Sequence, residues 1–296
     1  MSDTIETLRR QISSAADLQS VVRTMKALAA SSVGQFENSV RALADYYRTV
    51  QLGLCACCRN NEPAASEAIF QAPIRSDAIK AIVFGSDQGL VGQFNDVVVE
   101  FAIKALATLP AGHRVWAVGE RVHARLADAG QLPLGCFTVP NSVEAITLLV
   151  GQIQLACETH DHASAPAPLW VFHNRPVSGS LYEPVSQRLL PLDAPWRRSL
   201  ANIRWPSPNL PQVTGEDTVT ERVLIREYLF ISLFRACAES LASENASRLA
   251  AMERAEKNIN ELQQQLHRKF HQLRQSGIDE ELFDVVSGFE ALSGSS

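Results

Sequence analysis

The chain has 296 residues, 46% of them hydrophobic, enough for one or two domains with a substantial core. Its formal net charge of -5 leaves no surplus of lysine and arginine to gather on one face, which argues against a dedicated nucleic-acid binder. The opening "MSDTIETLRRQI" turns amphipathic at once, without the apolar core of a secretory signal, and no apolar run approaches a bilayer span, so the chain reads as one that stays in the cytosol.

From Ile5 to about Cys55 apolar residues step by three and four: Leu8, Ile12, Ala15, Leu18, Val22, Met25, Ala29, Val33, Phe36, Val40, Leu43, Tyr47, Val50 and Leu54. No proline interrupts them. The spacing predicts a heptad helix of roughly 75 Å, with one four-residue stutter near Ala29, too long for a compact globule. At its end "LCACC" holds Cys55, Cys57 and Cys58, while Cys136, Cys157 and Cys237 lie far apart. No second ligand pair at zinc spacing accompanies the cluster, so reduced, partly buried thiols are the expectation.

After a proline-containing linker, Asn60 to Pro73, strand-like runs alternate with helical patterns. "KAIVFGS" precedes a helix over Gly92 to Ala107, "HRVWAVG" one over Glu120 to Ala129, and "GCFTVP" one over Val143 to Thr159; "PLWVFHN" follows. This rhythm predicts a small parallel sheet with helices on its faces, and "SQRLLPLD" is a candidate edge strand. Pro195, Pro206, Pro208 and Pro211 mark an exit linker.

The glycines of "IVFGSDQGLVGQFN" raise the possibility of a phosphate cradle between strand and helix. Gly85, Gly89 and Gly92 do not have the spacing of a dinucleotide fingerprint. None of the five lysines precedes serine or threonine, so no Walker A motif exists, and no tyrosine has lysine four residues on. The reading favoured is a tight turn that packs the first strand on its helix, with Asp87 capping it. His267 and His271 stand one helical turn apart without a third ligand, and "THDH" at Thr159 to His162 suits a helix end. No catalytic constellation emerges, and no cofactor or metal is assigned.

From about Thr218 to Leu273 the heptad stripe returns: Val223, Tyr228, Ile231, Phe234, Ala238, Leu241, Asn245, Leu249, Met252, Ala255, Ile259, Leu262, Leu266 and Phe270. Two long heptad helices at opposite ends of a chain bury each other's seams if the domain between them returns the chain near its entry point, making them antiparallel. The fold class expected is therefore α+α/β, a long antiparallel two-helix coiled coil formed by both termini with an inserted small Rossmann-like α/β domain. The expected divisions are 1–58, 76–214 and 215–296. Small residues in "KALAASS" and "LASENASRLAAM" would let the two helices approach closely.

"LRRQI", "TMKALAASS", "GSDQGLVGQFN", "ENASRLAAMERAEKNI" and "LRQSGIDEELFDVVSGFEAL", in that order, resemble the gamma subunit of F-type ATP synthases over most of the chain. The middle motif departs from the family's Ser-Asp-Arg-Gly-Leu-Cys-Gly: Gln88 replaces the arginine, Val91 the cysteine and Gln93 a small residue, as in a divergent branch. The resemblance implies a non-catalytic central-stalk rotor, one copy per complex. It would turn inside a hexamer of alpha and beta subunits, with its foot and the epsilon subunit on the membrane c-ring. The place implied is the cytoplasmic face of the inner (plasma) membrane, peripherally. It further implies partner contacts at Met25, Arg248, Arg274 and Gln275, with the C-terminal block as the shaft tip and a local bend at Gly277. From the residues alone, Met25 is equally a heptad core residue and the other three a solvated face. A nucleotide-dependent oxidoreductase and a coiled-coil tether are the alternatives.

Overall fold

The computed structural model describes residues 4–60, 79–109, 112–159, 167–177, 180–192, 196, 200, 202–209, 211–212 and 217–293. The linker over 61–73, "HDH" at 160–162 and Pro195 lie outside these residues. The first helix, α1, spans Ile5–Asn60, 56 residues. Thr4 starts it: its carbonyl accepts the first helical bond, from the Leu8 amide at 3.0 Å, and its Oγ1 accepts the Thr7 amide at 3.3 Å, an N-cap that satisfies one otherwise orphaned donor. Glu6 in the first turn suits the positive end of the helix dipole. Then follow β1 (Ile79–Phe84), α2 (Phe94–Ala107), β2 (His113–Val118), α3 (Glu120–Asp128), β3 (Gly135–Phe137), α4 (Val143–Thr159), β4 (Leu169–Val177) and β5 (Ser180–Leu190). The last helix, α5, runs unbroken over Asp217–Ser293, 77 residues, through Gly277.

The chain forms two compact units, one of residues 1–29 with 249–296 and one of residues 30–248. In the first, α1 and α5 pack as an antiparallel pair. Arg9 sits over the Phe270 ring, the Gln19 amide meets Asn260, and Arg23 meets Glu256, so the partner's number falls as α1's rises. Leu8, Ala15 and Leu266 are buried at the seam with Ile12 and Phe270 against them, as the heptad pattern requires.

In the second unit the five strands form one sheet in the order β3-β2-β1-β4-β5. Four are parallel, with Ile79 opposite His113 and Lys80 opposite Leu169. The fifth, β5, is an edge strand antiparallel to β4, with Phe172 opposite Ser186. The first five residues of "SQRLLPLD", Ser186 to Leu190, thus form the end of a longer strand, and the sheet is mixed rather than wholly parallel. Alternation along β1 divides the core. Ala81 and Val83 face a cluster with Val98, Ala102, Val122 and Leu126 of α2 and α3. Ile82 and Phe84 face the other way, against Ile146, Val150 and Ile153 of α4 and Phe234 and Cys237 of α5. A third cluster joins Val50 and Leu54 of α1 to Tyr228 and Ile231 of α5.

Gly85 closes β1 against α3: a Cβ there would lie 2.4 Å from Val122 Cβ and 2.7 Å from Asn95 Oδ1. Gly34, inside α1, has nothing within 4 Å of such a Cβ. Gly85→Ala should therefore destabilise the chain by about 1–3 kcal/mol through overpacking. Gly34→Ala should stabilise it by about 0.5–1 kcal/mol through helix propensity. Denaturant unfolding of the two variants beside the parent chain checks both signs.

Candidate partner-binding surface

The turn after β1 uses its own polar groups. Asp87 does more than cap it: Oδ1 accepts the Glu120 amide at 3.0 Å and Oδ2 the Val139 amide at 2.9 Å, so one carboxylate ties the ends of β1, β2 and β3 together. Buried Asn95 accepts the Ser86 amide at 3.0 Å and donates to Ser86 Oγ at 2.8 Å, and the Ser86 carbonyl accepts the Arg121 amide at 2.9 Å. Gly119, at φ 116°, comes so close that a Cβ would lie 2.7 Å from that carbonyl oxygen. A phosphate cradle needs free amides at a helix N-terminus. In the turn from β1 to α2 the Ser86 amide is taken by Asn95 and the Phe94 amide by the Val91 carbonyl. The geometry bears out the tight-turn reading.

The stretch of α5 read as small residues for close helix approach is also a polar docking strip. His173 Nε2 and Glu239 Oε2 are 2.9 Å apart, and Arg235 Nε donates to Glu239 Oε1 at 2.7 Å. Ser243 Oγ donates to the Asn174 carbonyl at 3.1 Å, Ser247 Oγ to the Val91 carbonyl at 2.5 Å, and Asn174 Nδ2 to the Phe94 carbonyl at 2.9 Å. One turn further on, Arg248 donates to Glu244 at 2.7 Å with both side chains nearly buried. Burial pushes the Glu244 carboxyl up, more than Arg248 pulls it down. Burial would do the same to Glu239, but the hydrogen bonds from His173 and Arg235 outweigh it and hold that carboxyl below its ordinary value. Sequence reasoning missed this strip. The recurrence of polar residues at 239, 243 and 247, one turn apart along one face of α5, was the available signal.

The first unit carries the remaining residues singled out above. Met25 is half-buried on α1, beside Lys26, whose ammonium lies 3.0 Å from Glu256 Oε2. Hydrogen bonds from Lys26 and Arg23 hold the Glu256 carboxyl below its ordinary range. Arg274 and Gln275 are exposed, as is every residue over 278–287. Within that stretch Ile278, Leu282, Phe283, Val285 and Val286 are 47–71% exposed, an apolar set on a helix with no covering neighbour among the described residues. Arg248 belongs to the other unit, and only 13% of its side chain reaches solvent. The structure thus groups Met25 with Arg274 and Gln275 in one unit and leaves Arg248 in the docking strip. His267 and His271 stack at 6.5 Å on an exposed face.

A family model described as ATP synthase matches residues 4–292 of this chain. The chain belongs to the ATP synthase gamma chain family. An ATP synthase gamma chain of Syntrophus aciditrophicus is 24% identical over 299 residues, covering 98% of each chain. Among solved structures, a chain of the central stalk and c-ring of the Tetrahymena thermophila mitochondrial ATP synthase aligns with a TM-score of 0.54 at 19% identity, over 79% of this chain and 99% of that one. A chain from the rotor of the Euglena gracilis mitochondrial ATP synthase gives 0.58 at 15% identity, over 93% and 98%. The chain is a central-stalk rotor subunit of an F-type ATP synthase, coupling rotation to the catalytic sites without being a catalyst itself. Among the described residues no helix is long and apolar enough to cross a membrane.

The Glu239 cluster makes the anchoring of α5 sensitive to acid. A carboxyl held low in the folded chain stabilises it above the ordinary value near 4.5, and that contribution is lost as pH falls through the lowered value. Glu239→Gln should cost about 1–3 kcal/mol at pH 7 and progressively less toward pH 3. Unfolding midpoints of both chains across that range check this.

Proposed function

We propose that the first unit is the part that works inside the partner assembly. The observation that carries this reading is the exposed apolar run of α5 beyond Arg274, because contiguous apolar surface on a soluble helix marks a place where another surface closes over it. In this reading the occupant is a hexameric collar of alpha and beta subunits. Met25 faces a beta subunit, Arg274 and Gln275 hydrogen-bond to its loops, and Ile278, Leu282 and Phe283 turn in an apolar sleeve at its top. Arg248 meets the collar only at its outer edge, and its tie to Glu244 holds the backbone beneath that contact.

The foot, residues 76–214 between the helical divisions 1–58 and 215–296, rests with the epsilon subunit on the membrane c-ring, at the cytoplasmic face and without entering the bilayer. One copy serves each complex. One elementary charge crossing the membrane supplies about 2.3 kcal/mol per 100 mV, so several crossings must be gathered for each ATP. A helix pair locked by its seam can hold that torque. Its two helices present different side chains around the axis, so three surrounding sites meet three different surfaces, and those differential contacts bias each site toward a different conformation.

Co-expression with alpha and beta subunits tests this reading. The chain should co-purify at one copy per three alpha and three beta, with ATPase activity in the assembly and none in the chain alone. Arg274→Ala with Gln275→Ala should lower turnover of the assembly roughly three- to tenfold, the scale of one or two net hydrogen bonds, without shifting the unfolding midpoint. Activity from the isolated chain, or unchanged turnover in the double variant, would overturn the assignment.

A further inference from the structure

Beside the docking strip of α5, within the unit of residues 30–248, lies a polar cavity of about 230 Å³. A single water takes up about 30 Å³, so the space admits a side chain or a small molecule. Its floor is the Glu244–Arg248 pair. Glu244 is 5% exposed; its Oε1 accepts from Arg248 Nη2 at 2.7 Å, and its Oε2 is buried with no hydrogen-bond partner. A buried half-carboxylate without a donor is costly, so a donor is what this floor lacks. Asp87 lines the same cavity, and both of its oxygens are already held by backbone amides.

Counting charges decides the chemistry of the missing donor. Two carboxylates, Asp87 and Glu244, face one guanidinium, Arg248, so the lining carries a net charge of about -1 when both acids are ionised. Arg121, another cation at this edge, has its guanidinium beside Gly89 and does not line the space. Burial pushes the Glu244 carboxyl up, Arg248 pulls it down, and the Asp87 charge adds a smaller push upward. Arg248 Nε is also buried without an acceptor, so a second planar guanidinium would be set against a donor already present. A compact ammonium, reaching Glu244 Oε2 alone, is not. The walls suit its stem: Phe36, Leu241 and Val139 are apolar, and Gln88, which is exposed, stands at the mouth.

We infer that this cavity is a receptor for a primary ammonium on a short alkyl stem, either a free amine or the lysine side chain of a neighbouring subunit, with Glu244 as its counter-charge. The site shares Arg248 with the collar contacts proposed above and does not involve Met25, Arg274 or Gln275.

The probe is butylammonium chloride, read by saturation-transfer NMR on its methylene protons against tetramethylammonium chloride, which has no N–H to donate, at the same ionic strength. The full-length chain should give saturable transfer with butylammonium and none with tetramethylammonium. Glu244→Gln should weaken the affinity at least tenfold. Gln88→Lys, which places an ammonium at the mouth from within the chain, should abolish transfer and raise the unfolding midpoint. Equal behaviour of the two salts with the parent chain would overturn the inference, leaving a cavity filled by water alone. So would undiminished binding to both variants. Repeating the titration on the assembled complex separates the sources: transfer lost on assembly assigns the site to a subunit's lysine, and transfer retained assigns it to a free amine.

Discussion

The structure depends on one constraint, that α1 and α5 must lie antiparallel along their heptad seams. The residues that meet are remote in sequence: Gln19 and Asn260 are 241 positions apart, Arg23 and Glu256 233. Neither helix can satisfy its apolar stripe alone, and closing so long a loop costs little more than closing a moderate one, because the entropy grows only with the logarithm of length. What the pairing demands of the intervening chain is that it come back. In the second unit the return is visible where Tyr46 meets Glu227 at 2.8 Å and the Tyr47 and Tyr228 rings lie 5.9 Å apart.

The inserted sheet meets that demand with a fold often used for nucleotides, and its first turn spends its polar groups within the chain. Fold and function separate at the edge where a ligand would sit. Asp87 puts its carboxylate on the first amide of α3 and ties β3 to the same point. Ser86 and Asn95 satisfy each other beneath it. A loop consumed in this way is a structural clasp. It leaves the function of the chain to surfaces that touch other chains, in keeping with a rotor subunit that carries no catalytic site.

Polar side chains on α5 give the docking of that helix its directionality. Apolar contacts alone would tolerate a slide along the sheet, whereas Glu239 with His173, Ser243 with the Asn174 carbonyl and Ser247 with the Val91 carbonyl each meet their partner in one register. The same strip continues into the Glu244–Arg248 pair, where one oxygen and one nitrogen are left unpaired beside a cavity. A single helix segment thus joins the part of the chain that is internally satisfied to a part that is chemically incomplete.

The amino-acid sequence by itself determined the two terminal helices, the strand and helix alternation between them and the turn at Gly85, because each is written locally: apolar steps of three to four for a helix seam, a short continuous apolar run for a buried strand, glycines for the turn. Leu8, Ala15, Phe36, Leu54, Tyr228 and Met252 were placed in that way, and all are buried. The exposure of Phe283 and its neighbours, the antiparallel setting of β5 and the partners of Asp87, Glu239 and Glu244 were decided only by the tertiary structure. A polar side chain has no period that betrays its partner. Its environment is set by which distant backbone or carboxylate the fold carries to it, and that depends on the whole path of the chain.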